Sequence, residues 1–239
     1  MNIVTFSVVS HGQSNLISNL LVDLQCITQL PFDLIITLNI PEDESIFENL
    51  SLNIKIIRNK LPKGFGANHN TAFLQATGKY FIVLNPDIRF DDLHLEKLFE
   101  SFINPAVGAV GPHIINRLGI TEDSIRKFPT ISSILKRTCL RQRSCDYIWA
   151  ASPFHVDWIG GMFMAIRPEA FRAVGGFDSN RFFMYLEDVD LCRRLWLAGW
   201  TILADPSLTV VHDAQRASFK NFQHFKWHIT SLFRYLLGF

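Results

Sequence analysis

An α/β architecture, a mostly parallel sheet lying between helices, follows from two patterns along the chain. Short apolar runs end on polar or turn residues, as in residues 33–38 closing on Asn39 and residues 80–84 closing on Asn85. Between such runs the apolar residues shift to helical spacing, as at Leu16, Leu20 and Leu24. With 239 residues, 48% of them hydrophobic, the chain has enough apolar surface for one large core, and a single α/β domain is the expectation.

The elements read in order as follows. Residues 3–9 form a buried strand ending at Ser10-His11-Gly12, and a helix follows through Leu16, Leu20 and Leu24. Residues 33–38 and 53–57 are further strands, closing on Asn39 and on Arg58-Asn59. After Gly64-Phe65-Gly66 a helix fits residues 68–76, with Gly78 able to stop it in a left-handed conformation. Residues 80–84 are the fourth strand and 106–110 another. From 116 to 154 the pattern weakens into a long excursion crowded with Arg126, Lys127, Lys136, Arg137, Arg141 and Arg143. Regular structure returns as a strand at 162–166, a short helix at 168–174 ending on Gly175-Gly176, and an amphipathic helix at 188–197 stopped by Gly199. Two short β-like runs follow, 201–204 and 209–211. At the end, within 218–239, Phe222, Phe225, Ile229, Phe233 and Leu236 recur at helical spacing.

A net charge of +1 gives no reason to expect nucleic acid as a partner. Beyond Asp213, however, no acid occurs, while Arg216, Lys220, Lys226 and Arg234 do, so the terminal helix is basic and amphipathic. Such a helix either packs on the domain or lies in an anionic membrane surface. Cys26, Cys139, Cys145 and Cys192 form no Cys-x-x-Cys pair, which removes support for a zinc site and fits a reducing compartment. The first residues lack a signal-peptide pattern, and no apolar run approaches the roughly 18–20 residues that span a bilayer. The expectation is a cytoplasmic protein, with peripheral contact at the cytoplasmic face of the inner membrane as the alternative.

Two acidic motifs carry the chemistry. Asn85-Pro86-Asp87 closes a buried strand, where open α/β sheets bind ligands, although an Asp after Pro is also a turn former. Glu187-Asp188 opens a helix behind the aromatic approach Phe182-Phe183-Met184-Tyr185; capping explains one acid well and the second less well. One carboxylate can hold a cation that neutralises a diphosphate, and the other can take a proton from a nucleophile. Asp190 and Arg194, spaced i,i+4, read as a structural pair. His212, after a β-like run, becomes a plausible metal partner for Asp87. Gly64-Phe65-Gly66 is half of a dinucleotide fingerprint, but His69 stands where the third glycine belongs and the motif follows the third strand. It reads as a turn close to the sheet or as one that lets a nucleotide approach, with Asn70 a turn inside. Trp158, beside Gly160-Gly161, is either a core ring or a platform for a sugar face.

Taken in this order, the motifs resemble the family 2 inverting glycosyltransferases of GT-A fold, over nearly the whole chain. The resemblance rests on Ser10-His11-Gly12, Gly64-Phe65-Gly66 with Asn70, Asn85-Pro86-Asp87, Asp157-Trp158-Ile159-Gly160-Gly161, and above all the block from Gly175 to Cys192. Arg126-Lys127-Phe128-Pro129 and the terminal stretch from Lys226 to Leu236 narrow it to bacterial rhamnosyltransferases of O-antigen and cell-wall polysaccharide synthesis. It implies a Rossmann-like sheet with a C-terminal amphipathic helix: a catalytic domain over 1–215, with a nucleotide-sugar half at 1–115 and an acceptor half at 155–215, followed by the helical segment 216–239. It implies Asp188 as catalytic base and Glu187 as its acceptor-contacting neighbour, with Trp158, Gly160 and Gly161 also on the acceptor. Ser10, His11, Asn39, Asn59, Gly66, Asn70, Asn85 and Asp87 would meet the donor. Asp87 and His212 would hold Mg²⁺ or Mn²⁺. Asn85 stands where the family's first metal-binding acid would stand, which removes one charge, and Asn39 stands where many relatives carry Asp.

The expected reaction moves a deoxyhexose, L-rhamnose from dTDP-L-rhamnose, with inversion onto a lipid-diphosphate-linked saccharide. Two other readings remain open: a nucleotidyltransferase-like sugar-nucleotide enzyme, which would want a basic loop after the first strand, and a non-catalytic nucleotide- or carbohydrate-binding module, favoured by Asn85.

Overall fold

The computed structural model describes residues 3–26, 30–48, 50–90, 94–134, 145–212 and 222–238. The first half contains β1 (Val4–Ser10), α1 (Ser14–Gln25), β2 (Phe32–Leu38), β3 (Ile54–Arg58), α2 (Phe65–Phe73), β4 (Tyr80–Leu84), β5 (Ile88–Arg89) and α3 (Leu95–Glu100). The second contains β6 (Val107–Ile115), β7 (Ile125–Arg126), β8 (Phe154–His155), β9 (Trp158–Ile159), β10 (Phe163–Ile166), α4 (Pro168–Ala173), α5 (Glu187–Leu197), β11 (Thr201–His212) and α6 (Phe222–Leu237).

The main sheet runs β3-β2-β1-β4-β10-β6-β11-β5, with β8 added on β11. Strands β3, β2, β1, β4, β6 and β11 point one way, and β10, β5 and β8 the other. The sheet is mixed and mostly parallel. Alternation along β1 explains its layers: Val4, Phe6 and Val8 pack with Ile17, Leu20 and Leu24 of α1, while Thr5 and Ser7 face α2 and the turn before β4. A second apolar cluster on the opposite side joins Phe81, Met164 and Ile166 to Phe171 of α4 and Leu191 and Leu195 of α5. Each such side chain, fully buried, stabilises the fold by roughly 1.5–3 kcal/mol.

The structure revises several expected bounds. Helix α2 begins at Phe65, so Gly66 lies in its first turn, and it ends at Phe73. Gly78 does not cap it. A Cβ at Gly78 would lie 2.5 Å from the Thr5 nitrogen, so glycine is required there for close approach to β1. Gly175, Gly176 and Gly199 do adopt the positive φ expected of helix stops. The two β-like runs near the end are one strand, β11, with its register shifting between Asp205 and Thr209. Asp205-Pro206-Ser207 reads as a turn, but its carboxylate accepts from Ser101 Oγ and from the Ser207 N–H, which lets the chain bulge and continue. Lys136, Arg137, Cys139, Arg141, Arg143, Arg216 and Lys220 lie outside the described residues.

Candidate active site

The polar residues that end the strands gather at one end of the sheet. Strand β5 pairs with the end of β11, Ile88 opposite His212, and so carries Asp87 to that histidine. His212 Nε2 lies 3.2 Å from Asp87 Oδ2, and Nδ1 lies 2.6 Å from Glu122 Oε2. Burial alone would lower the His212 pKa, but hydrogen bonds and charge from Asp87 and Glu122 outweigh it and raise it to about 9. Glu122 was not read from the sequence. Its only signal is that Glu122-Asp123 interrupts a basic stretch.

Among the described residues no group of three or more His, Cys, Asp or Glu is arranged as a metal cluster. Asp87 Oδ1, though, is buried without a hydrogen-bond partner. An orphaned carboxylate oxygen beside an imidazole fits a cation that takes its remaining ligands from a bound diphosphate.

The Glu187–Asp188 pair lies nearby, across the segment Gly161–Met162. The Asn85 N–H donates to the Met162 carbonyl, and the neighbouring Gly161 N–H donates to Asp188 Oδ2 at 3.0 Å. A Cβ at Gly161 would crowd the Phe65 ring at 3.1 Å, whereas its 3.6 Å to Asp188 Cβ would be ordinary contact, so glycine here makes room for Phe65. Asp188 Oδ1 also accepts from the Val189 N–H. Immediately before the pair, Tyr185 and Leu186 have φ of 72° and 65°, the only positive-φ residues other than glycine among those described. Two such residues in sequence cost about 1–3 kcal/mol each, and such strain concentrates at functional sites.

Glu187 is buried and its Oε2 has no partner. Burial, then the charge of Asp188, raises its pKa to about 8. Burial also raises Asp188, against which the backbone N–H bonds act. The two carboxyls titrate as one pair, in which the Gly161 and Val189 N–H donors favour the charged form of Asp188 while Glu187 Oε2 has no partner. Asp190 is structural, bound by Arg194 Nε at 2.7 Å and Arg181 Nη1 at 3.2 Å.

On the donor side, Asn39 and Asn59 come together as expected, but their amides are engaged. Asn39 Oδ1 accepts from Asn59 Nδ2 and from the Lys63 N–H, and Asn39 Nδ2 donates to the Lys63 carbonyl. His11 Nδ1 lies 3.3 Å from Asn39 Nδ2. Asn59 also donates to Asn68, a residue the sequence did not single out. Ser10 Oγ and the Gly12 N–H both donate to Glu42, again not foreseen. Gly66 and Asn70 serve packing. A Cβ at Gly66 would lie 2.6 Å from Phe177 Cβ, and Asn70 exchanges two hydrogen bonds with the Phe177 backbone. Gly64 and Gly66 bring α2 against the 177–183 segment, and the Phe65 N–H donates to the Phe183 carbonyl, which fits the reading of this motif as a turn for close packing.

On the acceptor side, Trp158 is partly exposed, donates its indole N–H to the Lys127 carbonyl and packs beside Phe182 and Val189. Asp157 ties down the long excursion, accepting from the Phe128 N–H and the Tyr147 hydroxyl. The Gly160 N–H donates to Ser124, so Gly160 also serves that junction.

Residues 13–163 match Glycosyl transferase family 2. The chain belongs to this family. It is 34% identical over 185 residues to the rhamnosyltransferase WbbL of Escherichia coli (strain K12), covering 72% of this chain and 70% of that protein. It is also 34% identical over 147 residues to the N-acetylglucosaminyl-diphospho-decaprenol L-rhamnosyltransferase of Mycobacterium tuberculosis (strain ATCC 25618 / H37Rv), covering 56% of this chain and 46% of that protein. Among solved structures, the mannosyltransferase PcManGT from Pyrobaculum calidifontis, in complex with GDP-Man and Mn²⁺, superposes with a TM-score of 0.65 at 17% identity, over 98% of this chain and 64% of that one. GalNAc-T7 with UDP, GalNAc and Mn²⁺ gives 0.63 at 16% identity, over 90% of this chain and 44% of that one. The fold of this family 2 chain is GT-A.

Proposed function

We propose that the protein transfers a deoxyhexose, L-rhamnose from dTDP-L-rhamnose, with inversion, to a hydroxyl of a lipid-diphosphate-linked saccharide in bacterial surface polysaccharide synthesis. The observation that carries this reading is the buried Glu187–Asp188 pair, preceded by a left-handed turn and joined through Gly161 and Met162 to Asn85, two residues before Asp87. The rhamnosyltransferase relatives supply the donor sugar, and the decaprenol-linked relative supplies the acceptor class.

Asp188 takes the proton of the acceptor hydroxyl as its oxygen attacks the anomeric carbon. The new carbon–oxygen bond forms on the face opposite the departing diphosphate, whose bond to that carbon breaks, so the configuration inverts. Glu187, protonated, donates a hydrogen bond to the acceptor and keeps a second negative charge out of the pocket. Trp158 covers the apolar face of the acceptor sugar. Asp87 and His212 would hold Mg²⁺ or Mn²⁺, which when bound neutralises charge on the diphosphate.

In this reading residues 1–215 form the catalytic domain, 1–115 for the donor and 155–215 for the acceptor. Segment 216–239 makes peripheral contact with the cytoplasmic face of the inner membrane. Among the described residues no helix is long and apolar enough to cross a membrane. The test is incubation with dTDP-L-rhamnose and a lipid-diphosphate-linked N-acetylglucosamine, with products read by mass spectrometry and anomeric configuration by NMR. A rhamnosylated product of inverted configuration supports the reading. Retention, or transfer from another nucleotide-sugar alone, overturns it.

A further inference from the structure

Helix α6 meets the protein along the residues that lead into the catalytic pair. Ser231 Oγ donates to the Met184 carbonyl at 2.8 Å, and His224 Nδ1 lies 2.8 Å from the Tyr185 hydroxyl. Arg234 Nη1 donates to the Arg181 carbonyl, and Arg181 Nη2 donates back to the Arg234 carbonyl at 2.8 Å. The Trp227 and Phe183 rings lie 4.9 Å apart, and Tyr235 is buried beside Phe182 and Val189. Each residue of 181–185 is thus held from one side by this helix.

The face used for docking is informative. A terminal helix that only completes a core turns its apolar stripe inward. Here Phe225, Phe233 and Leu237 are 64%, 60% and 62% exposed, while Ser231 is buried and hydrogen-bonded. The polar residues of α6 are matched to particular backbone and side-chain atoms of the 181–185 segment, and the next residues are the left-handed Tyr185–Leu186 turn that no local preference of Tyr or Leu supports.

We propose that α6 is a positioning element for catalysis. By holding 181–185 it keeps the Tyr185–Leu186 turn in its strained form and Asp188 on the Gly161 N–H, with His224 and Ser231 as the residues that act through this segment. The inference rests on Asp188 being the base. The α6 contacts described above are made to 181–185 and Val189, so the effect on chemistry passes through the turn.

The experiment compares His224→Leu/Ser231→Ala with wild type and with Ser231→Thr in the full chain, measuring kcat, both KM values and Tm. The double variant should lose about tenfold or more in kcat, while the KM for the nucleotide-sugar shifts by less than about twofold, because misplacing a catalytic group lowers turnover without touching donor contacts. Ser231→Thr, which keeps a hydroxyl, should stay near wild type. If the double variant fails to fold, Ser231→Ala alone takes its place, and a kcat equal to that of Ser231→Thr overturns the inference. So does a double variant with wild-type kcat, or one whose donor KM rises in step with a falling Tm, which marks general loosening. Asp188→Asn separates the two ideas. If that variant is inactive while the α6 variants turn over normally, only the positioning role fails; if it is as active as wild type, the base assignment fails.

Discussion

The two flanks of the site are built on opposite plans. On the donor flank, the amides of Asn39 and Asn59 are paired with Asn68 and with the backbone of Lys63. The unpaired buried atoms there are Thr37 Oγ1 and His69 Nε2, with Asp87 Oδ1 at its edge, and burial holds the His69 pKa down at about 3, so it stays uncharged. On the flank of the proposed base the unpaired atoms belong to ionisable groups, Glu187 Oε2 and Arg194 Nη2, and the backbone beside Glu187 is strained. A buried carboxyl either keeps its proton or carries a costly charge, so this flank tolerates a larger penalty. The first flank is a pre-shaped frame that holds a loop. In the proposed reaction, the second keeps its groups short of partners so that a substrate would supply them.

If this contrast is right, the largest effect comes from the catalytic flank. Asp188→Asn should lower turnover by about 10²–10⁴-fold, the usual contribution of a general base, while nucleotide-sugar binding measured by titration calorimetry stays intact. The amide preserves shape and can still accept the Gly161 N–H. Turnover near the wild-type level would remove Asp188 from the mechanism.

Asp87→Ala and His212→Ala lie between the flanks and should act on binding. Each should weaken metal-dependent donor affinity by about 10–100-fold, the range seen when groups around a metal are removed. Glu122→Gln should have a smaller effect of the same kind, because Glu122 reaches the site only through His212 Nδ1. Full activity in the presence of a strong chelator would break the metal assignment and leave the base untouched.

A third effect is on stability. Burial and the neighbouring Asp188 charge make Glu187 hold its proton more tightly in the folded protein than an ordinary glutamate with its value of 4.5, raising its pKa to about 8. Between those values the folded state holds a proton that the unfolded state releases, so stability falls as pH rises through that window. Glu187→Gln should flatten this slope, read as Tm against pH from about 5 to 8, one pKa unit being worth about 1.4 kcal/mol before other groups respond. An unchanged slope would place Glu187 in water and end the contrast between the flanks.

Much of the first half of the fold was legible because its signals are local. Residues 80–84 are both the apolar run in the sequence and β4 itself, and Asn39, Asn59, Asp87 and His212 stand at strand ends that one rule of α/β sheets brings together. Most of the misses are long-range. That β10 would enter antiparallel between β4 and β6 depends on partners far apart in the chain, as does the joining of 201–204 and 209–211 into β11. Glu122 reaches His212 across a separation of 90 residues. The use of Gly64 and Gly66 for packing depends on Phe183 and Phe177, more than a hundred residues away in the chain, so a glycine pattern that also suits a nucleotide could not decide the matter alone. The left-handed Tyr185–Leu186 turn left no signal at all, because neither residue favours that conformation.

The smallest expected effect concerns the outer face of α6. The sequence left two possibilities for its apolar stripe, the domain or a membrane, and the structure turns Phe225, Phe233 and Leu237 outward beside Lys226 and Arg234. Positions 225, 233 and 237 fall on one side of a helix, so the stripe is continuous rather than scattered. A single aromatic on a surface needs no explanation, but an aligned stripe flanked only by positive charge suits the interface of an anionic bilayer, each basic residue adding roughly 1 kcal/mol near the surface. The full chain should therefore co-sediment with vesicles containing anionic lipid at low salt, and less so at high salt, where screening shortens the reach of Lys226 and Arg234. Phe225→Ser/Phe233→Ser should abolish that binding while leaving transfer to a water-soluble acceptor analogue unchanged, since neither ring touches the 181–185 segment in any contact of the docked face. Vesicle binding that survives the double substitution would move the membrane contact elsewhere. No binding by the intact protein at low salt would reduce α6 to its inner face, the part that holds the catalytic turn.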